Sequence, residues 1–161
     1  MREGARSVRM GELAVARDQE VLAAVGLGSC IGVALVDADA HVAGLAHVLL
    51  PEPSSGREGT AGRYASTAVP ALLERMLAAG ARRERLVAKL AGGASMFSGL
   101  SATGVGAVGE RNAEAVRRAL ARLDIPIAGE DIGGTWGRTI HVQACDGRYI
   151  VSNVLRDDVV L

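Results

Sequence analysis

Aromatic side chains are almost absent from this chain of 161 residues, at 2% of the sequence. Hydrophobic residues nevertheless make up 49%, so the sequence predicts a core of aliphatic side chains. A chain of this length typically forms one domain and can bury a core of substantial size. We therefore expect a single domain over residues 1–161, with its folded core at about residues 11–153.

An excess of either charge is also missing, because 18 Lys and Arg balance 18 Asp and Glu. This balance removes the general attraction that a basic protein has for nucleic acid or anionic membranes. No apolar run approaches the roughly 20 residues of a membrane span, and residues 1–10 lack the apolar region of a signal peptide. We expect a cytoplasmic protein that neither binds nucleic acid nor inserts into a membrane.

Cysteine and histidine are few, with two and three residues. Two cysteines without a signal peptide are typical of free thiols in a reducing compartment. No cluster has the spacing of metal ligands, so we expect no metal and no cofactor. Cys145 stands beside a turn with no histidine near it in sequence, and we expect His41 and His141 to face away from the core. Cys30 and His47 remain as candidates for chemistry.

Cys30 and His47 flank a predicted β-hairpin. Cys30 ends a glycine-containing turn, and apolar runs at residues 31–36 and 42–49 predict two strands. If the hairpin is centred between residues 38 and 39, Cys30 directly opposes His47. Opposed side chains share one face of a sheet, with Cβ atoms about 4.5–5.5 Å apart.

A thiol and an imidazole in contact can act as a nucleophile and its base. Histidine can take the thiol proton and later protonate a leaving amine. Gly28 and Ser29 belong to the turn before Cys30, where backbone N–H groups around Ser29 and Cys30 are candidates to stabilise an oxyanion. The implied reaction is attack on an acyl carbon, through a thioester that water hydrolyses. The alternative is structural: a small buried cysteine and a hydrogen-bonded histidine on a core strand.

The remaining pattern predicts an α+β layered fold. Helical periodicity appears over residues 64–79 and 110–123, and Pro70 places the start of the first helix near Thr67. Residues 1–7 are expected to be a frayed end. Glycine-rich or proline-rich loops are predicted at residues 51–59 and 99–109. Further strands are predicted at residues 11–16, 21–25, 86–91, 125–132, 139–144 and 149–153.

Six blocks of sequence resemble the chemoreceptor glutamine deamidases of the CheD family, in the family's order and over roughly residues 13–153. They read GLGSCIGVALVD, GLAHVLLP, GRYASTAVPALLERML, AKLAGGASMF, GERN and DIGGTWGR. The resemblance implies a layered α/β/β fold similar to toxin glutamine deamidases, with Cys30 as the nucleophile and His47 as the general base. It implies deamidation of receptor glutamines to glutamate and extends to hydrolysis of receptor glutamyl methyl esters.

One position departs from the family pattern. The family commonly has a catalytic threonine six positions before the cysteine, and this chain has Ala24 there. The orienting of His47 is therefore in question. Candidates to replace the threonine, by chemistry alone, are Ser29, Thr135, Gln143 and Asn153.

The resemblance also implies two partners. These are the cytoplasmic helices of methyl-accepting chemotaxis receptors and a CheC-type phosphatase that acts on the phosphorylated response regulator. Two alternatives stay open. Without the threonine, the chain is either a deamidase or a binding module that docks the phosphatase without catalysis. If the resemblance misleads, it is another cysteine hydrolase, such as a peptidase.

Overall fold

The computed structural model describes residues 2–54, 59–96 and 107–161. The loops predicted at residues 51–59 and 99–109 therefore lie partly outside the described residues. The α-helices are α1 (Ala65–Ala78) and α2 (Val108–Arg122), and short 3₁₀ helices lie at Ala61–Arg63 and Arg83–Arg85. The strands are β1 (Arg6–Ser7), β2 (Leu13–Arg17), β3 (Val21–Leu27), β4 (Ile31–Asp37), β5 (Val42–Val48), β6 (Val87–Gly92), β7 (Ile127–Ile132), β8 (Arg138–Gln143), β9 (Tyr149–Ser152) and β10 (Val159–Val160).

These strands form two five-stranded sheets. The first has the order β2-β5-β4-β6-β7, and the second has the order β1-β3-β8-β9-β10. Neighbouring strands are antiparallel except for the parallel pairs β1 with β3 and β6 with β7. The hairpin β4–β5 lies at the centre of the first sheet, and every residue in both of its strands is buried.

The burial of this hairpin on both faces follows from a three-layer arrangement. One face of the first sheet packs against both helices, in a core that includes Val33, Leu72 and Val116. The other face packs against the second sheet, in a core that includes Leu45 and Ile140. Strands covered on both faces have nearly continuous apolar sequences, which explains the two apolar runs. The predicted α+β layered fold is confirmed, with the layers in the order helices, sheet, sheet.

Two predictions about element boundaries are wrong. Part of the expected frayed end forms β1, which pairs with β3. Helix α1 begins at Ala65 rather than near Thr67, so Pro70 lies in its second turn, exposed to solvent. The Ala65 N–H donates to the carbonyl of Leu50 at 2.9 Å. The segment after β5 therefore satisfies a free donor of the first helical turn, which allows the earlier start.

The predicted register of the β4–β5 hairpin is also wrong, by two residues. Asp37 pairs with Val42, so residues 38–41 form the turn and His47 faces Gly32 rather than Cys30. The Asp37 carboxylate accepts the Ala40 N–H at 3.1 Å, which fixes Asp37 at the end of the strand. A shift of two residues keeps every side chain on its predicted face, whereas a shift of one would reverse it.

Candidate active site

Cys30 ends the turn that joins β3 to β4, where it is half-buried and packs against the core between the two sheets. Its carbonyl oxygen accepts the Gly93 N–H at 2.9 Å, and the carbonyl of Gly28 accepts the Ala94 N–H at 2.9 Å. A Cβ atom at Gly92 would lie 2.1 Å from the Cys30 carbonyl oxygen, closer than any two such atoms approach. The glycine at position 92 thus allows the end of β6 to pack directly against the turn that carries the thiol.

His47 lies on β5 and is 2% exposed. Alternation along the strand places its side chain on the same face as Leu45, toward the second sheet. Cys30 packs against that same layer, two residues before the Gly32 that opposes His47. Diagonal neighbours of this kind have Cα atoms about 7–8 Å apart and remain within reach of long side chains. The structure therefore places Cys30 and His47 on one face, in a diagonal rather than a direct pair.

The Nδ1 atom of His47 lies 3.2 Å from the carbonyl oxygen of Val8. A carbonyl oxygen only accepts hydrogen bonds, so Nδ1 carries the proton and donates it. Val8 is itself anchored, because its N–H donates to the carbonyl of Ala23 on β3 at 2.7 Å. The N-terminal segment therefore fixes both the orientation and the tautomer of the imidazole.

This tautomer leaves the lone pair of Nε2 free. Nε2 is buried and has no hydrogen-bond partner among the residues that the structure describes. Burial lowers the pKa of His47, and the Val8 hydrogen bond and the charge of Glu12 oppose that shift only in part. His47 is thus held as a neutral imidazole whose unpaired, proton-accepting nitrogen is the atom that a general base needs.

Burial raises the pKa of the Cys30 thiol, and the hydrogen bond from the N–H of Cys30 itself opposes that effect. Together with the neutral His47, this makes the resting pair a thiol and an imidazole rather than a thiolate and an imidazolium. Transfer of the proton must then accompany attack on a substrate, as it does for serine nucleophiles with a histidine base.

Gly28 and Ser29, the candidates for an oxyanion-binding turn, are half-buried. Among the described residues, the N–H groups of Ser29 and Cys30 donate to no backbone carbonyl. A free N–H beside the nucleophile is the arrangement that an oxyanion requires.

The partner that orients His47 is a main-chain carbonyl and not one of the four side chains proposed to replace the threonine. Ala24 is fully buried on β3, in the layer between the sheets. Val8 lies beside it, because β1 runs parallel to β3 with Ser7 paired to Ala23. Sequence reasoning missed Val8, because a carbonyl oxygen is present at every residue and leaves no side-chain signal.

The other cysteine and histidines lie away from this pair. His41 is exposed, and its Nδ1 contacts the carbonyl oxygen of Cys145 at 2.6 Å. His141 alternates away from the core between the sheets, as expected, and is only 3% exposed. The Arg2 N–H donates to its Nε2 at 3.0 Å, so the N-terminal segment covers that side chain.

Within residues 2–54, 59–96 and 107–161, His, Cys, Asp and Glu side chains form no group of three or more that is placed to hold a metal ion. None of the helices in this described part of the chain is both long and apolar enough to span a membrane.

Comparison with known proteins places these features in a family context. The family model described as CheD chemotactic sensory transduction matches residues 49–153. A "Probable chemoreceptor glutamine deamidase CheD" of Symbiobacterium thermophilum is 46% identical over 155 residues, which cover 94% of each chain. A protein of the same name from Geobacillus kaustophilus is 48% identical over 141 residues, covering 84% of this chain and 86% of the relative. The "Chemoreceptor glutamine deamidase CheD" of Halalkalibacterium halodurans is 46% identical over 135 residues, or 83% of each chain.

Proposed function

Because this chain belongs to the CheD family, we propose that it is an amidohydrolase that converts glutamine side chains of chemoreceptors to glutamate. The printed names of its relatives state that activity for them. The observation that carries the proposal for this chain is the buried Nε2 of His47, which lies on the same face as Cys30 and has no partner in the described part of the chain. An unpaired buried polar atom costs free energy, so it calls for an explanation. A role of His47 as the general base would explain why this nitrogen is left without a partner.

In the proposed reaction, His47 Nε2 takes the thiol proton while the sulfur of Cys30 forms a bond to the side-chain carbonyl carbon of glutamine. The resulting tetrahedral intermediate collapses when the imidazolium gives its proton to the amide nitrogen, and ammonia leaves. A thioester remains on Cys30. Water, deprotonated by the same nitrogen, then attacks the thioester and releases glutamate and the thiol.

The surroundings of His47 support the charged state that forms during attack. The Val8 carbonyl and the Glu12 carboxylate both favour the imidazolium. Burial disfavours that charge at rest, so the cation is expected only while the proton is in transit. The negative charge on the substrate oxygen would be met by the Cys30 N–H, with the Ser29 N–H as its neighbour.

The same site is proposed to hydrolyse glutamyl methyl esters of the receptors. An ester carbonyl takes the same attack by sulfur, and methoxide needs less help from the acid than an amide nitrogen does. The proposed substrates lie on the cytoplasmic helices of methyl-accepting chemotaxis receptors.

A second candidate function is a weakly active or inactive module that docks a CheC-type phosphatase. Two observations favour it. The pKa of the Cys30 thiol is raised rather than lowered, and Ala24 supplies no hydroxyl to the layer that holds His47. A chain that has lost catalysis would show both features, because its cysteine would ionise poorly and the threonine that the family commonly has would be missing.

The test is the intact mass of a receptor cytoplasmic fragment co-expressed with this protein, together with the ammonia released in vitro. We expect the mass gain of amide-to-acid conversion with the wild type and with Cys145→Ala, which removes the other cysteine. Cys30→Ala should abolish it. Conversion that survives Cys30→Ala would overturn the mechanism. No conversion by the folded wild type, combined with binding to a CheC-type phosphatase, would establish the docking module instead.

A further inference from the structure

Asn112 projects from α2 toward the turn that carries Cys30, and its side chain is fully buried. Its Nδ2 atom donates to the carbonyl of Ser29 at 3.0 Å and to the carbonyl of Leu49 at 2.8 Å. An asparagine amide has two N–H donors, so this group uses both on the main chain of two different segments. One side chain thereby ties three parts of the molecule together.

The two carbonyls flank the proposed catalytic pair. Ser29 directly precedes Cys30, and Leu49 follows His47 by two residues along the same chain segment. Asn112 therefore fixes the distance between the nucleophile turn and the strand of the base, although it is placed to touch neither side chain. Such a link supports the diagonal relation of Cys30 and His47 that the register of β4 and β5 sets.

A second contact holds helix α2 close to the main chain that supports the turn of Cys30. A Cβ atom at Gly109 would lie 2.5 Å from the carbonyl oxygen of Gly93, so the first turn of α2 packs against the main chain there. Gly93 in turn donates its N–H to the Cys30 carbonyl at 2.9 Å. The helix that carries Asn112 is thus packed against the same main chain that supports the thiol.

The hydrogen bond to Ser29 also orients the next peptide group. A trans peptide is planar, and its C=O and N–H point in opposite directions. When Asn112 holds the Ser29 carbonyl on its own side, the Cys30 N–H is turned to the other side. That N–H belongs to the nucleophile itself, and the main-chain N–H of a nucleophile is a common donor to the developing oxyanion.

The remaining polar atom of Asn112 does not explain why an amide stands at this position. Its Oδ1 is buried and has no hydrogen-bond partner among the described residues. A buried acceptor without a partner lowers stability, so the two donated bonds alone account for an amide at this place.

We propose that Asn112 is a positioning residue for the deamidase reaction. It holds the Ser29–Cys30 peptide so that the Cys30 N–H points away from Asn112 and toward the substrate oxyanion, at a fixed distance from His47. This inference rests on the proposed function, but the state of the thiol can be measured without a receptor.

The test compares Asn112→Leu, which keeps the approximate shape and removes both donors, with Val116→Ala. Val116 lies one turn further along α2 and is fully buried in the helix–sheet core. Its truncation is therefore expected to lower stability without touching the turn. Both variants are made in a Cys145→Ala background, so that Cys30 alone reacts with iodoacetamide.

With Asn112→Leu, we expect the pH midpoint of Cys30 alkylation to rise, because the N–H that favours the thiolate is no longer held in place. We expect kcat on the receptor fragment to fall by about 100-fold, with KM changed by less than about threefold. Val116→Ala should leave both readouts at the wild-type values. If Asn112→Leu does not fold, Asn112→Ala, which admits water to the two carbonyls, should show the same changes.

The outcomes separate the two proposals. A wild-type alkylation midpoint and kcat in a folded Asn112 variant would overturn the positioning role while leaving the deamidase intact. A raised midpoint in a protein that converts no receptor glutamine would support the positioning of the thiol and overturn the proposed function.

Discussion

The imidazole of His47 donates a hydrogen bond from Nδ1 to the carbonyl oxygen of Val8 at 3.2 Å, so a main-chain group of the N-terminal segment orients the proposed base. In hydrolases with a histidine base, the group that holds the second nitrogen fixes the tautomer and favours the imidazolium as it forms. Here that group depends on the pairing of β1 with β3 rather than on a side chain.

This relationship predicts that Val8→Pro lowers activity more than Val8→Ala. Proline has no N–H, so the 2.7 Å bond from Val8 to the Ala23 carbonyl is lost and the Val8 carbonyl moves. We expect kcat for receptor deamidation to fall by about tenfold or more with Val8→Pro. Val8→Ala keeps both main-chain groups and loses only side-chain packing, so it should retain nearly full kcat.

Circular dichroism at the assay temperature checks that both variants are folded. Equal activity of folded Val8→Pro and folded Val8→Ala would show that the carbonyl does not orient the base.

A second prediction concerns the position that is threonine in the family pattern. Ala24 is 0% exposed, in the core between the sheets. Ala24→Thr adds two heavy atoms to a filled space, which typically costs about 1–3 kcal/mol of the free energy of unfolding. Because Nδ1 of His47 already has an acceptor, we expect the new hydroxyl to raise kcat/KM by less than about threefold, an effect worth under 1 kcal/mol.

Urea unfolding and steady-state deamidation measure the two effects separately. A large gain in kcat/KM from Ala24→Thr would mean that the wild-type base is poorly oriented and that the Val8 carbonyl is an inadequate substitute.

The sequence predicted the layered fold from apolar runs and helical periodicity, and it singled out Cys30 and His47. It missed Val8 for two reasons. The adjoining strand β1 has only two residues and shows no periodic pattern, and a carbonyl oxygen is present at every residue, so the sequence does not mark this one. It misplaced the hairpin, because a four-residue turn fits the same sequence in two positions. The carboxylate of Asp37 decides between them by accepting the Ala40 N–H.

A third prediction follows from the protonation states of the pair. Burial lowers the pKa of His47 and raises that of Cys30. The base is active when neutral, so kcat/KM should fall as the pH drops through the pKa of His47, which lies below its ordinary value of about 6.5. Above that limb, we expect a plateau through neutral pH, since the thiol ionises only at higher pH.

Two measurements check this. The pH profile of kcat/KM locates the acid limb, and the pH profile of Cys30 alkylation locates the thiol, with a midpoint expected above about 8.5. An alkylation midpoint near pH 6, or a kcat/KM limb that rises through pH 8, would indicate a different resting pair from the one that the structure implies.

A final prediction concerns the support of the hairpin that carries His47. The Asp37 carboxylate is fully buried and accepts hydrogen bonds from Arg85 Nε at 2.9 Å and from the Arg82 N–H at 2.8 Å. Burial tends to raise the pKa of Asp37, but the bonds from Arg85, Arg82 and Ala40 outweigh it and lower that pKa. This network joins the hairpin turn to the segment that precedes β6.

In Asp37→Asn, the side-chain NH2 group replaces one of the oxygens that accept hydrogen bonds from Arg85, Arg82 and Ala40. A donor then faces a donor, and the negative charge is lost. We expect it to lower the free energy of unfolding at pH 7 by about 2 kcal/mol, the typical scale for a hydrogen bond to a charged group. The matched control is Asp39→Asn in the same turn, whose side chain is exposed and which should change the free energy of unfolding by less than about 0.5 kcal/mol.

The sign of the pH dependence follows from the lowered pKa of Asp37. Its carboxylate contributes its full stabilisation above the ordinary pKa of about 3.9, and the contribution is lost as the pH falls through the lower pKa of the folded state. The difference in urea midpoint between wild type and Asp37→Asn should therefore be constant from pH 7 to about pH 5 and shrink at lower pH. A difference that stays the same in acid would mean that packing, rather than the buried charge, holds the turn in the register that places His47 opposite Gly32.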